Sequence, residues 1–433
     1  MVTTRHLLPV LAAGLLVLAA CSSDDDSPPT EAAPSTAATT APASTAPPTT
    51  EPPPTTEAPP TTPVATDPPS ATAPPMTAPP STAPPTTAPA EPFVPIGLGP
   101  FEVGGSTITV GEGTDRPLTV EVWYPLAEGT GTGLDPHRYT LVPEAYYDSP
   151  VALAATPDLI ADGAFPLVVY SHGSSGLRYI HSSYTEAVAS HGHVVVAADH
   201  TGNTTLDLVL GTTAEFDEIA YRRPEDVARL VDAFTGAIDD AGATPWVDAV
   251  DAERIVVSGH SFGGFTAVAS VTGFANEVGE IAADPRVDGI ITFAPATSEP
   301  LLSDETIAMI DVPMLILAGT SDDSTPIEPN VTRMWDLNDN SPAYRGDLVD
   351  AEHQTFTDLC AYLDLLPELP AVPAFVTDTI ADFVGDACSP GAMDAERAAE
   401  LTNTYSVSFL DEVLDTGESI ELAPPDDVVF FAR

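Results

Sequence analysis

The sequence predicts an α/β fold, a mostly parallel central sheet with helices on both faces, preceded by a disordered linker. Three observations carry this. Short apolar runs such as Leu167–Ser171 and Val194–Asp199 read as strands buried on both faces. Helical stretches alternate with them, the order that crosses parallel strands with helices. Residues 22–92 carry almost no large apolar side chains, so nothing there can form a core.

From the N-terminus, residues 1–20 read as a secretory signal peptide. Arg5 precedes an apolar run, Leu7 to Ala20, that Pro9 and Gly14 interrupt. The run is too short and too poorly flanked for a membrane span. It ends Leu18-Ala19-Ala20-Cys21, which resembles the lipobox of bacterial lipoproteins. That resemblance implies that Cys21 is diacylated and becomes the mature N-terminus. An ordinary signal peptide with an incidental cysteine is the alternative. Residues 21–92 then form a Pro/Thr/Ala-rich linker whose Pro-Pro-Thr-Thr units favour polyproline II. At about 3 Å per residue such a linker reaches about 200 Å, enough to carry a domain away from a membrane. The Ser and Thr density also permits O-glycosylation.

The folded domain is expected over residues 93–433. The chain's net charge is −51, and all 13 basic residues are arginines. Such a polyanion is unsuited to nucleic acid or to direct adsorption on anionic lipid, which leaves the lipid anchor as the route to a membrane. Of the three cysteines, Cys21 goes to lipid. Cys360 and Cys388 outside the cell are expected to pair, with two buried free thiols as the alternative. Neither has metal-ligand spacing to another Cys or His and no H-E-x-x-H occurs, so no metal site and no cofactor are predicted.

The elements follow in order. Ser106–Val110 and Leu118–Tyr124 are β-rich runs around a Gly/Pro turn. Leu126–Pro166 reads as an irregular insertion. Leu167–Ser171 is a strand, followed by a helix over about Ile180–Ser190 and the strand Val194–Asp199. Pro224 reads as a helix start, with Glu225 and Asp226 behind it, opening a helix to about Asp239. Then come the strand Arg254–Ser258, a turn, and a helix from Phe265 to Phe274. Val287–Phe293 and Met314–Ala318 are further strands, and Leu348–Val349 reads as a short last one. In the helix over about Met393–Leu414, Leu401, Tyr405, Phe409 and Val413 form one apolar stripe.

The turn after Arg254–Ser258 carries the chemistry. Gly259-x-Ser261-x-Gly263 reads as a nucleophile elbow, a tight strand-to-helix turn that lifts one hydroxyl above a sheet. Serine at neutral pH needs a base, and the base an orienting acid. In this arrangement the chain order is serine, acid, histidine. That order selects His353, because His172, His191, His193, His200 and His260 precede or adjoin the serine and read as structural. The acid belongs after Met314–Ala318, where Gly319-Thr320-Ser321-Asp322 with Pro326 resembles the acid loop of many α/β hydrolases. Asp322 is selected, with Asp323 as the neighbouring alternative. A developing oxyanion needs two N–H donors. Phe262 supplies one at the start of the following helix. The Gly-rich turn after Leu167–Ser171 supplies the other, from Ser174 or alternatively Ser175.

Val168-Val169-Tyr170-Ser171-His172-Gly173, Ser190-His191-Gly192-His193, Gly259-His260-Ser261-Phe262-Gly263-Gly264 and His353-Gln354-x-Phe356 resemble the platelet-activating-factor acetylhydrolase-like family and the bacterial proteins called predicted dienelactone hydrolases. Arg116 to Pro125 resembles that family's opening strands. The resemblance spans about Phe93 to Leu414. It implies an α/β-hydrolase fold, a Ser–Asp–His triad and hydrolysis of small-molecule or lipid-like esters with short or small acyl groups. Two departures stand out. The acetylhydrolases carry the acid directly after the strand that follows the elbow helix, where this chain reads Thr292-Phe293-Ala294-Pro295. Dienelactone hydrolases use cysteine where this chain has Ser261.

The expected function is therefore a secreted, lipid-anchored serine carboxylic-ester hydrolase. The same groups serve an acyltransferase if an alcohol replaces water. A surface lipoprotein that keeps the scaffold only for binding is the non-catalytic alternative.

Overall fold

The structure, a computed structural model, describes residues 93–142, 145–365, 381, 384, 387–416 and 424–433. The expected signal peptide, Cys21 and the expected linker lie outside the described residues.

Two strands open the domain, β1 (Val103–Val110) and β2 (Leu118–Pro125), paired antiparallel around the turn at Gly111. The expected irregular insertion is a correction. Within it β3 (Pro136–Val142) and β4 (Ala145–Ala154) form a hairpin that joins the sheet edge through β1. Its Tyr and Thr content fits strands, but register shifts break the period-two alternation.

The centre of the sheet is β5 (Phe165–Ser171), β6 (Val194–Ala198), β7 (Val250–His260), β10 (Gly289–Phe293), β11 (Met314–Gly319) and β12 (Ala343–Leu348), all parallel. β8 (Phe274–Ala275) and β9 (Glu280–Ile281) make a separate two-stranded ribbon. A final strand, β13 (Val428–Ala432), pairs antiparallel with β12. The order of the main sheet is β13-β12-β11-β10-β7-β5-β6-β2-β1-β4-β3.

Alternate side chains of the central strands feed two cores. On one face Leu167, Val169, Val257 and Ile316 meet the helices Phe216–Phe234 and Phe262–Thr272. On the other, Val168, Tyr170, Val256 and Leu317 meet the helices Ser182–Ser190 and Ala395–Leu410. The fold is thus a mostly parallel sheet with helices on both faces.

Three further boundaries differ from the sequence reading. Pro224 sits inside its helix, which starts at Phe216 with Asp217 and Glu218 in the first turn and ends at Phe234, before Gly236 at φ +72°. The elbow helix begins at Phe262, not Phe265. The expected short strand at Leu348 is the end of six-residue β12, and it is not the last strand. In the C-terminal helix Leu401, Tyr405 and Phe409 are buried as the stripe predicts, and Val413 is half-buried.

Candidate active site

β7 runs straight into the elbow. Ser261 sits at φ +56°, ψ −116°, a conformation that L-residues rarely adopt. Two glycines make the turn possible. A Cβ at Gly263 would lie 1.9 Å from the Ser171 carbonyl oxygen, and one at Gly259 would lie 2.3 Å from that of Gly263. The turn is tied to the neighbouring strand by the Ser261 N–H, which donates to the Phe293 carbonyl of β10 at 2.9 Å.

The acid follows β11. Asp322 is buried, and its Oδ1 accepts the N–H groups of Ser324 and Thr325, each at 2.8 Å. Its Oδ2 meets Thr325 Oγ1 and His353 Nδ1, each at 2.8 Å. Burial alone pushes this carboxyl up. The hydrogen bond from His353, together with the Thr325 donors, outweighs it and holds the group below its ordinary value, so it stays ionised. Asp323 is exposed, and it is Asp322 that meets the histidine.

The base follows β12, on a short turn His353–Phe356. Gly319 lets the acid loop close on it, since a Cβ there would lie 2.1 Å from the Ala351 carbonyl oxygen. With Nδ1 bonded to Asp322, His353 Nε2 lies 2.9 Å from Ser261 Oγ. Three residues remote in sequence thus form one hydrogen-bonded line, with the unprotonated Nε2 facing the hydroxyl.

The turn after β5 lies against the serine. A Cβ on Gly173 would come within 3.3 Å of Ser261 Cβ. Ser174 is exposed beside it, and Ser175 takes φ +54°. Among the described residues, neither the Ser174 nor the Phe262 N–H donates to a protein acceptor. The Phe262 amide opens its helix and has no intrahelical partner.

The structure therefore brings Ser261, Asp322 and His353 together and sets Phe262 and Ser174 beside them. Cys360 and Cys388 form a disulfide, with Cα atoms 5.5 Å apart. Cys21 lies outside the described residues. Among the described residues no cluster of three His, Cys, Asp or Glu is placed to hold a metal. A surface concavity of about 560 Å³ lined by Ser298, Glu299, Asp304 and Arg333 contains none of the triad.

Sequence reasoning missed the shell behind the site. His260 is buried, packs its ring at a tilt against that of His353 and donates to the His353 carbonyl oxygen. Arg223, Asn203, His172 and His200 hold the turn after β5 from below. The adjacency of His260 to Ser261 was visible, but its partner was not. Arg223 carried no local signal.

Residues 145–209 match the family model for platelet-activating factor acetylhydrolase, isoform II. That stretch runs from β4 through the glycine-rich turn and stops short of the elbow. No curated protein matches the chain. Among solved structures, a ferulic acid esterase from Streptomyces cinnamoneus is similar at TM-score 0.54 and 23% identity, over 78% of this chain and 98% of that one. The likeness is one of fold. The matched segment is similar to that family over residues 145–209, and the sheet is similar in fold to the esterase.

Proposed function

We propose that the protein is a serine carboxylic-ester hydrolase for esters with short or small acyl groups. The observation that carries this reading is the line Ser261 Oγ to His353 Nε2 at 2.9 Å and His353 Nδ1 to Asp322 Oδ2 at 2.8 Å, at an elbow in a rare backbone conformation. In this reading Ser261 Oγ attacks the ester carbonyl carbon while His353 Nε2 takes its proton. The oxyanion that forms is held by the N–H groups of Phe262 and Ser174. Collapse expels the alcohol, which receives the proton from His353, and leaves an acyl group on Ser261. Water, deprotonated by His353, then releases the acid. Asp322 remains ionised and fixes the imidazole.

The surroundings suit an ester with an apolar part. The Phe262 ring lies 5.6 Å from that of exposed Phe216, and the short helix Thr205–Leu210 presents Leu206, Leu208, Val209 and Leu210 to solvent. That helix is bonded to the glycine-rich turn through Thr205 Oγ1 and the Ser175 carbonyl at 2.6 Å. The acetylhydrolase match and the esterase neighbour point to the same reaction class.

Secretion and a lipid anchor at Cys21, with residues 21–92 as spacer to the catalytic domain 93–433, belong to the same proposal. The Leu18-Ala19-Ala20-Cys21 sequence supports them, and the Cys360–Cys388 bridge suits an oxidising compartment. Hydrolysis of a panel of p-nitrophenyl esters from acetate upward tests the function. Turnover of the short members is expected, and no turnover of any member overturns it.

A further inference from the structure

Both halves of the proposed oxyanion hole rest on one buried cation. Arg223, on the helix Phe216–Phe234, is wholly buried, whereas its neighbour Arg222 faces solvent and pairs with Glu225 at 2.7 Å. Arg223 Nη2 donates to the His172 carbonyl oxygen and, at 3.3 Å, to Ser171 Oγ. Its Nη1 donates to Asn203 Oδ1 at 2.9 Å, and Asn203 Nδ2 in turn donates to Ser174 Oγ at 3.3 Å. The guanidinium carbon also stands 5.1 Å from the centroid of the Phe262 ring.

The bonds below run in one consistent direction. Ser171 Oγ–H donates to His200 Nε2 at 2.9 Å, and His200 Nδ1–H to Asp226 Oδ2 at 2.9 Å. Arg116 clamps Asp226 with bonds of 2.6 and 2.7 Å. His200 N–H donates to His172 Nε2 at 3.2 Å, which leaves His172 Nδ1–H to donate to the Gly173 carbonyl oxygen at 2.7 Å. Burial keeps both imidazoles neutral, with the Arg223 charge adding to the effect. Burial lowers Arg223 itself to about 9, so it is still charged at neutral pH.

A buried guanidinium loses its hydration at substantial cost, and here one of its donors, Nε, has no acceptor among the described residues. Fold stability alone is a poor account of such a residue, because an apolar side chain of similar volume avoids that cost. Its three acceptors share one location. They lie on the turn that carries Ser174 or on the asparagine that braces it, and its flat face meets the residue that supplies the other N–H. We propose that Arg223 is a positioning residue of the oxyanion hole, setting the spacing between the Ser174 and Phe262 N–H groups. This rests on the hydrolase reading.

The test uses the whole protein and counts sites by exhaustive titration with a fluorophosphonate, so that rates refer to folded, reactive Ser261. Arg223→Met should lower kcat for p-nitrophenyl acetate per titrated site by about 10²-fold, the scale of losing one oxyanion donor. KM should stay within about threefold, because the donors act on the transition state and not on bound ester. The Ki of a trifluoromethyl ketone, whose adduct places an oxyanion in the hole, should rise in proportion to the loss of kcat. Arg223→Lys, which cannot span the three acceptors, should behave similarly, and Asn203→Ala more mildly. Arg222→Met should leave all three quantities unchanged.

If Arg223→Met does not fold, Arg223→Lys and Asn203→Ala carry the test. Variants that melt earlier but keep kcat per titrated site and Ki within about threefold of the parent overturn the proposal. A rise in KM at unchanged kcat overturns it too. A parent protein that hydrolyses esters while its Arg223 variants lose nothing refutes this inference alone. A parent that neither turns over ester nor takes the label removes the hydrolase reading and this proposal with it.

Discussion

His260 Nε2 donates to the carbonyl oxygen of His353 at 2.9 Å, and the two rings lie 4.7 Å apart. The residue next to the nucleophile therefore holds the backbone of the base. Burial keeps His260 neutral, so Nε2 can be the protonated nitrogen that a carbonyl oxygen requires.

The first prediction concerns this bond. His260→Leu keeps bulk and loses the donor, and kcat on a short ester should fall on the order of 10- to 100-fold through misplacement of His353. His260→Gln keeps an N–H donor and should retain most of the activity. Steady-state kinetics of the two variants separate a hydrogen-bonding role from simple packing.

Asp322 and Asp323 are adjacent, but only Asp322 is buried against His353. Asp322→Asn presents the imidazole in the wrong tautomer and should lower kcat on the order of 10⁴-fold. Asp323→Asn should change kcat by less than about threefold. The pair of rates, measured on one ester, identifies the acid.

A third prediction concerns pH. Glu186 is buried, with Tyr139 Oη donating to it at 2.5 Å and Ser149 Oγ at 2.6 Å. Burial raises its carboxyl from the ordinary 4.5 to about 7, against the lowering effect of those two donors. The folded state then binds more protons than the unfolded state between those two values. Stability should fall as pH rises through that window, by on the order of 3 kcal/mol from this group. Glu186→Gln keeps an acceptor for both hydroxyls and should remove that part of the slope. Denaturant unfolding of both proteins from pH 4 to 8 checks it; parallel slopes contradict it.

The disulfide gives the fourth. Its cysteines are 28 residues apart, and removing the bridge should cost about 3 kcal/mol in the chain-entropy account. Cys360 lies in the helix Leu359–Leu365, directly after the turn that carries His353, so activity should decline below the unfolding transition. Titration of denatured, unreduced protein should find neither thiol of the pair, and both after reduction.

What the sequence made legible was local. The elbow needs glycines at fixed offsets, the acid and base follow apolar strands, and chain order separates His353 from the other histidines. Buried strands such as β6 and β11 declare themselves by unbroken apolar runs. β12 did not, because Arg345 and Asp347 lie inside it and neutralise each other at 2.7 Å, two residues apart on one face. The β3–β4 hairpin was hidden by irregular register. Pro224 reads as a helix start because proline suits a first helical turn, yet it lies inside a helix anchored by tertiary packing. The Arg223 network was invisible because its partners come from two separate segments, Ser171–His172 and Asn203, and nothing in either announces the other.

The central claim is that Ser261 is a nucleophile activated by His353. Intact-protein and peptide mass spectrometry after exposure to a fluorophosphonate tests it most directly. The account predicts one adduct per chain, on the peptide containing Ser261, absent from Ser261→Ala and formed at least about 10³-fold more slowly in His353→Ala. No adduct on the parent protein, or an adduct that persists at full rate in His353→Ala, would contradict it.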